Sequence, residues 1–283
     1  MAIVGATASG KTAKAIQLAQ KLNGVIINCD RFQLYRDLKI LSAYPTDEEL
    51  LLAPHKLFGI LNYDENTSAF EWAKLATTEI KKAQQDSQLP IVVGGTGMYL
   101  NILVNGISSL PDIPQAVRDK GTELANNNFD AMYHEVSQAT PDLNIRFEQH
   151  HQIIRAWEVL TASGKPITYF YQQPKIKFIE DEWKFVDLNP PRAELYNKIN
   201  RRFDLMLESG AIDEVKALLS KFCGLNIEKY HIFKTIGVKE IVKYLNGELT
   251  YDEMQSLVKQ YSRNYAKRQI TWFNKYIHCP ELV

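Results

Sequence analysis

Several absences bound what this chain is. No apolar run approaches the ~20 residues that a membrane-spanning helix needs. Cysteine is scarce: Cys29, Cys223 and Cys279 are odd in number and lack metal-ligand spacing, so free thiols are expected rather than a disulfide frame or a zinc site. The histidines form no metal pattern either, since the adjacent His150 and His151 would point to different faces of any helix. Net charge is missing: Lys plus Arg and Asp plus Glu number 33 each, a balance that leans against a nucleic-acid partner unless the charge is clustered locally. A glycine-rich loop begins at Gly5 and leaves no room ahead of it for an export signal, so a cytoplasmic location is expected. What is present is ordinary for a soluble globular protein. The 283 residues are 45% hydrophobic and 23% charged, enough for one large domain or two modest ones.

The stretch Gly5-Ala6-Thr7-Ala8-Ser9-Gly10-Lys11-Thr12 fits G-x-x-x-x-G-K-[ST] at every fixed position. It follows a short apolar run, residues 1–4, and precedes residues 13–22, where Ala15, Ile16, Leu18, Ala19 and Leu22 recur at helical spacing. Strand, glycine loop and helix in that order make a phosphate cradle. The glycines let backbone N–H groups turn inward, the helix start adds about half a positive charge, Lys11 reaches an outer phosphate and the Thr12 hydroxyl suits Mg²⁺. The motif implies a bound polyphosphate without saying which.

Gly24-Val25-Ile26-Ile27-Asn28-Cys29-Asp30 reads as a buried parallel strand that delivers a carboxylate to its C-terminal edge, where ligands gather in open α/β sheets. Asp30 is therefore expected beside the phosphates; on fold grounds alone, a helix cap or an indirect holder of Mg²⁺ is an equal reading. Arg31-Phe32-Gln33-Leu34-Tyr35-Arg36 then mixes arginines, an amide and aromatics, a contact strip for a base and a backbone or else a surface turn. A short strand is expected over 55–60 and a helix over 68–84. Pro90-Ile91-Val92-Val93 is a second buried strand, followed by Gly94-Gly95-Thr96-Gly97 and a helix start. That strand ends in glycines where an ATPase or GTPase would carry a metal-holding acid.

From 108 to 184 the pattern is helical, with Pro111 and Pro114 at its entry, Arg118 on its first helix and a long amphipathic helix over 152–160. A strand over 183–188 returns the chain to the sheet, and a helix carrying Arg192, Arg201 and Arg202 follows. Between Glu253 and Glu281 no acid occurs, while Lys259, Arg263 and Lys267 share one helical face. Like charges at that spacing cost a few tenths of a kcal/mol per pair, so an anionic partner is expected to meet the face. Tyr261, Tyr265, Trp272 and Phe273 interleave with these cations, as on surfaces that touch both phosphates and bases.

Taken together the residues resemble the tRNA dimethylallyltransferase (isopentenyl-tRNA transferase) family over nearly the whole chain. The glycine loop, Asp30-x-x-Gln33-x-Tyr35-Arg36 and Val93-Gly94-Gly95-Thr96-Gly97-x-Tyr99 carry the likeness in the first part. Arg155-Ala156-x-Glu158-Val159, Arg202-Phe203-x-x-Met206-Leu207-x-x-Gly210, Ile236-Gly237-x-Lys239-Glu240 and Ala266-Lys267-Arg268-Gln269-x-Thr271-Trp272 complete it in order. The resemblance implies an α/β fold, a P-loop kinase-like parallel sheet core over 1–108 and 185–283, with a helical tRNA-binding insertion over 109–184. Three stretches depart from the family pattern: Arg31 and Phe32 replace Ser and Met, Leu41-Ser42-Ala43-Tyr44-Pro45 replaces Gly-Thr-Ala-Lys-Pro, and Glu148-Gln149-His150-His151-Gln152 replaces an Asn-Asp-x-x-Arg box.

The activity so implied is transfer of a dimethylallyl group from its diphosphate to the exocyclic amine of the adenosine 3′ of a tRNA anticodon, by a monomer using Mg²⁺. Asp30 would take the amine's proton. Gly5, Ala6, Thr7, Ala8, Ser9, Gly10, Lys11 and Thr12 would hold the diphosphate, with Thr12 on the metal and Arg202 as a second clamp. By family analogy Thr96 and Arg118 act near the reacting nucleotide, and Arg31, Phe32, Gln33, Arg155, Lys239, Lys267, Arg268, Gln269 and Trp272 contact tRNA. The main alternative is a small-molecule kinase using the loop for ATP and Asp30 as base; a non-catalytic RNA-binding protein is the third reading.

Overall fold

The computed structural model describes residues 1–222 and 227–276, so Cys223, Cys279 and Glu281 lie outside the described residues. Five strands form a parallel sheet in the order β3, β2, β4, β1, β7: β1 Ala2–Gly5, β2 Gly24–Asn28, β3 His55–Lys56, β4 Leu89–Val93 and β7 Phe185–Leu188. Alternation along these strands sends Ile3, Ile26, Ile91 and Val93 against Ala15, Ile16 and Ala19 of helix α1, Lys11–Leu22. Val25, Ile27 and Val92, equally buried, point to the other face. Both faces are therefore apolar, as a parallel sheet covered by helices requires.

The strand expected over 55–60 stops at Lys56 because Leu57 and Gly59 adopt left-handed backbone, φ 62° and 59°. Helix α2, Asp47–Leu52, and helix α3, Ala69–Gln85, each begin with a reciprocal cap, Thr46 with Glu49 and Ser68 with Glu71. Trp72 of α3 stacks on Tyr99 of α4, Gly97–Asn105, with ring centroids 4.4 Å apart.

Two compact units result. Asn105–Lys177 is one, with a core of its own in which Met132, Ile153, Trp157 and Val159 are buried. It contains α5 Gln115–Asn127, α6 Phe129–Ala139, α7 His150–Ser163 and α8 Ile167–Tyr171. It also contains a two-strand antiparallel ribbon, β5 Ile107–Ser108 with β6 Lys175–Ile176, which no buried-strand pattern announces because its strands are too short to alternate.

The other described residues form the sheet unit. Its later helices are α9 Arg192–Glu208, α10 Ala211–Ser220, α11 Val238–Leu245 and α12 Tyr251–Tyr276. They close a second core around Phe203, Val215, Ile241 and Val258 that also takes in Tyr35, Leu38 and Leu41. No helix among the described residues is long and apolar enough to cross a membrane.

Candidate active site

The glycine loop wraps the start of α1 at the C-terminal edge of β1. Gly5 has φ 142°, and a Cβ there would run into the Leu188 carbonyl of β7, so this position tolerates only glycine. Gly10 caps α1 in left-handed backbone, and no acidic side chain stands in the helix's first turn. The N–H groups of that turn therefore face the cleft with their partial positive charge uncompensated. Lys11 Nζ donates to the Gly5 and Ala6 carbonyls at 3.0 and 2.8 Å. Burial holds its ammonium down to about 8, and the Asp30 carboxylate pulls the other way.

Asp30 stands just beyond the end of β2. Its N–H donates to Asn28 Oδ1 at 2.8 Å, and Asn28 Nδ2 in turn donates to the Asp30 and Leu57 carbonyls at 2.9 and 3.0 Å. Asn28, fully buried, is the positioning residue that sequence reasoning missed; the available signal was a polar side chain closing an otherwise apolar strand. One carboxylate oxygen of Asp30 accepts the Phe32 N–H at 3.0 Å and lies in the same cleft as the loop. Burial pushes the Asp30 carboxyl up, against the Phe32 N–H, Lys11 and Arg202, which favour its charged form.

Arg202, from α9, completes the cleft. Its guanidinium donates to Thr7 Oγ1 at 2.5 Å, and burial lowers its pKa while Asp30 opposes that shift. Lys11, Thr12, Asp30 and Arg202 thus line one cleft of about 450 Å³. The segment carrying Ser42, Ala43 and Tyr44 forms another wall. Glu214 of α10 fixes that segment by accepting the Ile40 and Leu41 N–H groups at 2.7 and 3.0 Å, and Gln33 does so by donating to the Ser42 and Ala43 carbonyls at 3.1 and 2.7 Å. Gln33 thus braces that wall while lining the cleft itself. Tyr44 meets Phe58 edge-on, with ring centroids 5.7 Å apart.

Residues expected to contact tRNA fall into three groups. Arg31 and Lys239 both lie near Lys234, and His231 is held down to about 4 by burial first and then by Arg31 and Lys234. Only the spatial convergence reveals His231 and Lys234. The Thr96 hydroxyl accepts the Arg31 N–H at 3.1 Å, so it joins the two glycine and acid turns. Phe32 lines a small cavity beside Asp30.

The second group lies on α12. Gln269 is buried, accepting the Thr7 N–H at 2.8 Å and donating to the Gly95 carbonyl at 2.9 Å, so it ties the phosphate loop to the turn after β4. Trp272 packs so closely on Gly97 that a Cβ there would overlap its ring. Phe273 is buried as well, and Arg268 stacks over Tyr265 at 5.7 Å. Lys267 and Arg268 stay exposed.

The basic face expected to await an anionic partner finds one of its own at Lys259 alone, and Lys267 stays exposed. Lys259 pairs with Asp204 at 2.6 Å and Arg263 donates to Asn200 Oδ1 at 2.7 Å, both on α9. A third group belongs to the helical unit: Arg118 is exposed on α5, and Arg155 pairs with Glu158 at 3.1 Å. Replacing Gln269 with Ala leaves the Thr7 N–H without its partner, and the expected cost is about 1–3 kcal/mol in denaturant unfolding, with a raised KM for the phosphate-bearing substrate.

A parallel sheet with a phosphate loop after its first strand and an acid closing the second defines a P-loop kinase-like α/β protein carrying a helical insertion. The chain belongs to the tRNA isopentenyltransferase family. The family model described as IPP transferase matches residues 33–276, and one described as Isopentenyl transferase matches 1–58. The tRNA dimethylallyltransferase of Zymomonas mobilis is 41% identical over 275 residues, 96% of this chain and 86% of the relative. That of Hyphomonas neptunium is 38% identical over 280 residues, 96% and 87% of the two chains.

Among solved structures, the tRNA isopentenylpyrophosphate transferase of Bacillus halodurans superposes with a TM-score of 0.68 at 35% identity, over 96% of this chain and 86% of that one. A eukaryotic dimethylallyltransferase acting on tRNA gives 0.81 at 28% identity, over 96% and 69%.

Proposed function

We propose that the chain transfers a dimethylallyl group from dimethylallyl diphosphate to the exocyclic amine of the adenosine 3′ of a tRNA anticodon. The observation that carries this reading is one cleft lined both by a diphosphate cradle, Lys11, Arg202 and the loop N–H groups, and by the Asp30 carboxylate. The amine's lone pair forms the new N–C bond at the allylic carbon. The C–O bond breaks with its electrons going to the diphosphate, and the amine proton passes to Asp30.

An aryl amine is a weak nucleophile, so removing its proton as it attacks is worth about 10²–10⁴-fold. Each preorganised donor on the departing oxygens adds about 10²–10³-fold. Arg202, held on Thr7, and Lys11, held on the Gly5 and Ala6 carbonyls, line the cleft that would receive those oxygens.

The Thr12 hydroxyl, in the first turn of α1, suits Mg²⁺. Among the described residues no group of three or more His, Cys, Asp or Glu side chains could hold a metal, and that sparse donor set fits an ion bound chiefly by diphosphate oxygens and water. Such an ion would neutralise charge on the leaving group. The exposed cations Lys239, Lys267 and Arg268, together with Arg31, are the proposed contacts to RNA phosphates. Arg118 and Arg155 are proposed contacts from the helical unit. The acceptor adenine must leave its stack to reach Asp30, and an unpaired anticodon loop makes that inexpensive.

The pH dependence follows from the two shifted groups. Lys11 holds its proton below about 8 and loses it above, so kcat/KM for the donor is expected to fall as pH rises through about 8. Asp30 must be ionised to accept a proton, and its raised pKa is expected to move the acid limb of the profile above the ordinary carboxylate range. A profile flat from pH 5 to 9 would contradict both assignments.

Separate incubations with ATP labelled at its terminal phosphate and with labelled dimethylallyl diphosphate, each with unmodified tRNA, test the reaction class. Label is expected to enter the RNA from the prenyl donor; label passing from ATP to a small metabolite would make the chain a kinase.

A further inference from the structure

Every peptide N–H from Cys29 to Phe32 has a partner. Cys29 donates to the Val93 carbonyl at 2.7 Å and Asp30 to Asn28 Oδ1 at 2.8 Å; Arg31 donates to Thr96 Oγ1 at 3.1 Å and Phe32 to Asp30 Oδ1 at 3.0 Å. The Cys29 carbonyl in turn accepts the Thr96 N–H at 3.2 Å. Thr96 therefore grips the chain on both sides of Asp30, one residue before it and one after.

A threonine that opens a helix ordinarily turns its hydroxyl back on that helix's own N–H groups. Thr96 stands just ahead of α4, and its carbonyl accepts the Tyr99 and Leu100 N–H groups at 3.0 and 3.3 Å. Its hydroxyl oxygen instead reaches across to Arg31, 65 positions away. The turn is also pressed against the peptide it holds, since a Cβ at Gly94 would collide with the Cys29 carbonyl. Asn28 fixes the Asp30 N–H and carbonyl, so the Arg31 N–H is the remaining handle on the backbone that follows the acid.

We propose that Thr96 is a positioning residue for the transfer, acting through Asp30 by holding the Arg31 N–H so that the carboxylate keeps its direction, rather than acting on the RNA. The inference rests on the reaction above. With Arg31 held, the Phe32 N–H meets Asp30 Oδ1, and that bond both points the carboxylate and favours its charged form. Once Arg31 is released, the backbone beyond Asp30 is free to rotate, the Phe32 bond is lost and the proton acceptor swings off line. The Thr96 hydroxyl keeps a proton of its own to donate, so direct contact with the nucleotide is the alternative that the test separates.

Steady-state transfer to an anticodon stem-loop is compared across pH in wild type, Thr96→Val and Thr96→Ser. Valine keeps the shape and removes the acceptor; serine keeps the acceptor. Thr96→Val is expected to lower kcat by about 10–10²-fold, the cost of a misplacement of about 1 Å, with KM for donor and RNA within about twofold of wild type. Its acid limb is expected at higher pH, because Asp30 loses a bond that favours its charge while Lys11, Arg202, Cys29 and Tyr265, its other charged and titratable neighbours, stay in place. Thr96→Ser is expected to restore both. A raised KM for RNA with kcat and acid limb unchanged would overturn the proposal and make Thr96 an RNA contact. A wild-type rate, or a lowered kcat with an unmoved acid limb, would overturn it as well.

Should Thr96→Val fail to fold, Thr96→Ala admits water to the Arg31 N–H and is expected to show the same pattern at smaller amplitude. Titration of the Asp30 carboxyl by NMR separates this proposal from the reaction it rests on. A carboxyl that titrates at the same pH with and without the Thr96 hydroxyl refutes the positioning role, whatever the protein transfers. A titration displaced upward by Thr96→Val, in a protein whose wild type leaves RNA unmodified, refutes the reaction and keeps the positioning role.

Discussion

Asp30→Ala is expected to lower the rate of prenyl transfer by about 10²–10⁴-fold while RNA and donor still bind. The carboxylate stands in the cleft with its backbone pinned by Asn28, so truncating it removes a proton acceptor without moving the strand end. Asp30→Asn refines the result. The amide keeps an oxygen for the Phe32 N–H and so preserves the local turn, yet it has no charge with which to take a proton. Single-turnover transfer to an anticodon stem-loop should fall in both variants by similar factors. If the Asn variant retained wild-type rate, Asp30 would be a holder of structure only, and another group would have to accept the proton.

Lys11→Met is expected to reduce kcat/KM for the donor by about 10²–10³-fold, the worth of one preorganised donor on a developing oxyanion. Two effects combine in it. The variant loses the hydrogen-bond donor nearest the loop, and it removes a cation that favours the charged form of Asp30. The remaining activity should therefore show its acid limb displaced to higher pH, because Asp30 is harder to ionise without its neighbour. A loss of rate with an unmoved acid limb would mean that Lys11 acts on the donor alone.

The two residues share a legible origin. The phosphate loop could be read from the sequence because fixed glycines, lysine and threonine serve a local backbone geometry, and the strand delivering Asp30 because apolar runs ending in an acid are equally local. Arg202 was reachable only as a weaker candidate, since nothing along the chain says that it will donate to Thr7, 195 positions away. Gln269 shows the same difficulty from the other side: placed with RNA contacts by family analogy, it is buried and joins two turns of the sheet edge.

Lys259 looked unpartnered because its acid, Asp204, comes from a separate helix. Patterns that repeat within one element survive in a one-dimensional reading. Pairings between segments distant in the chain do not, and the bonds that Arg202 and Gln269 make to the phosphate loop are of that kind. Glu214 is another instance, an acid on α10 that orders the segment walling the cleft.

The most direct measurement is a single turnover with dimethylallyl diphosphate labelled in its allylic carbon and an unmodified anticodon stem-loop, followed by digestion to nucleosides. The label should appear on the exocyclic amine of the adenosine 3′ of the anticodon, with one inorganic diphosphate released per label transferred. Donor held by the protein but recovered intact, with every adenosine unmodified, would contradict a cleft built to set an allylic carbon against an amine under Asp30.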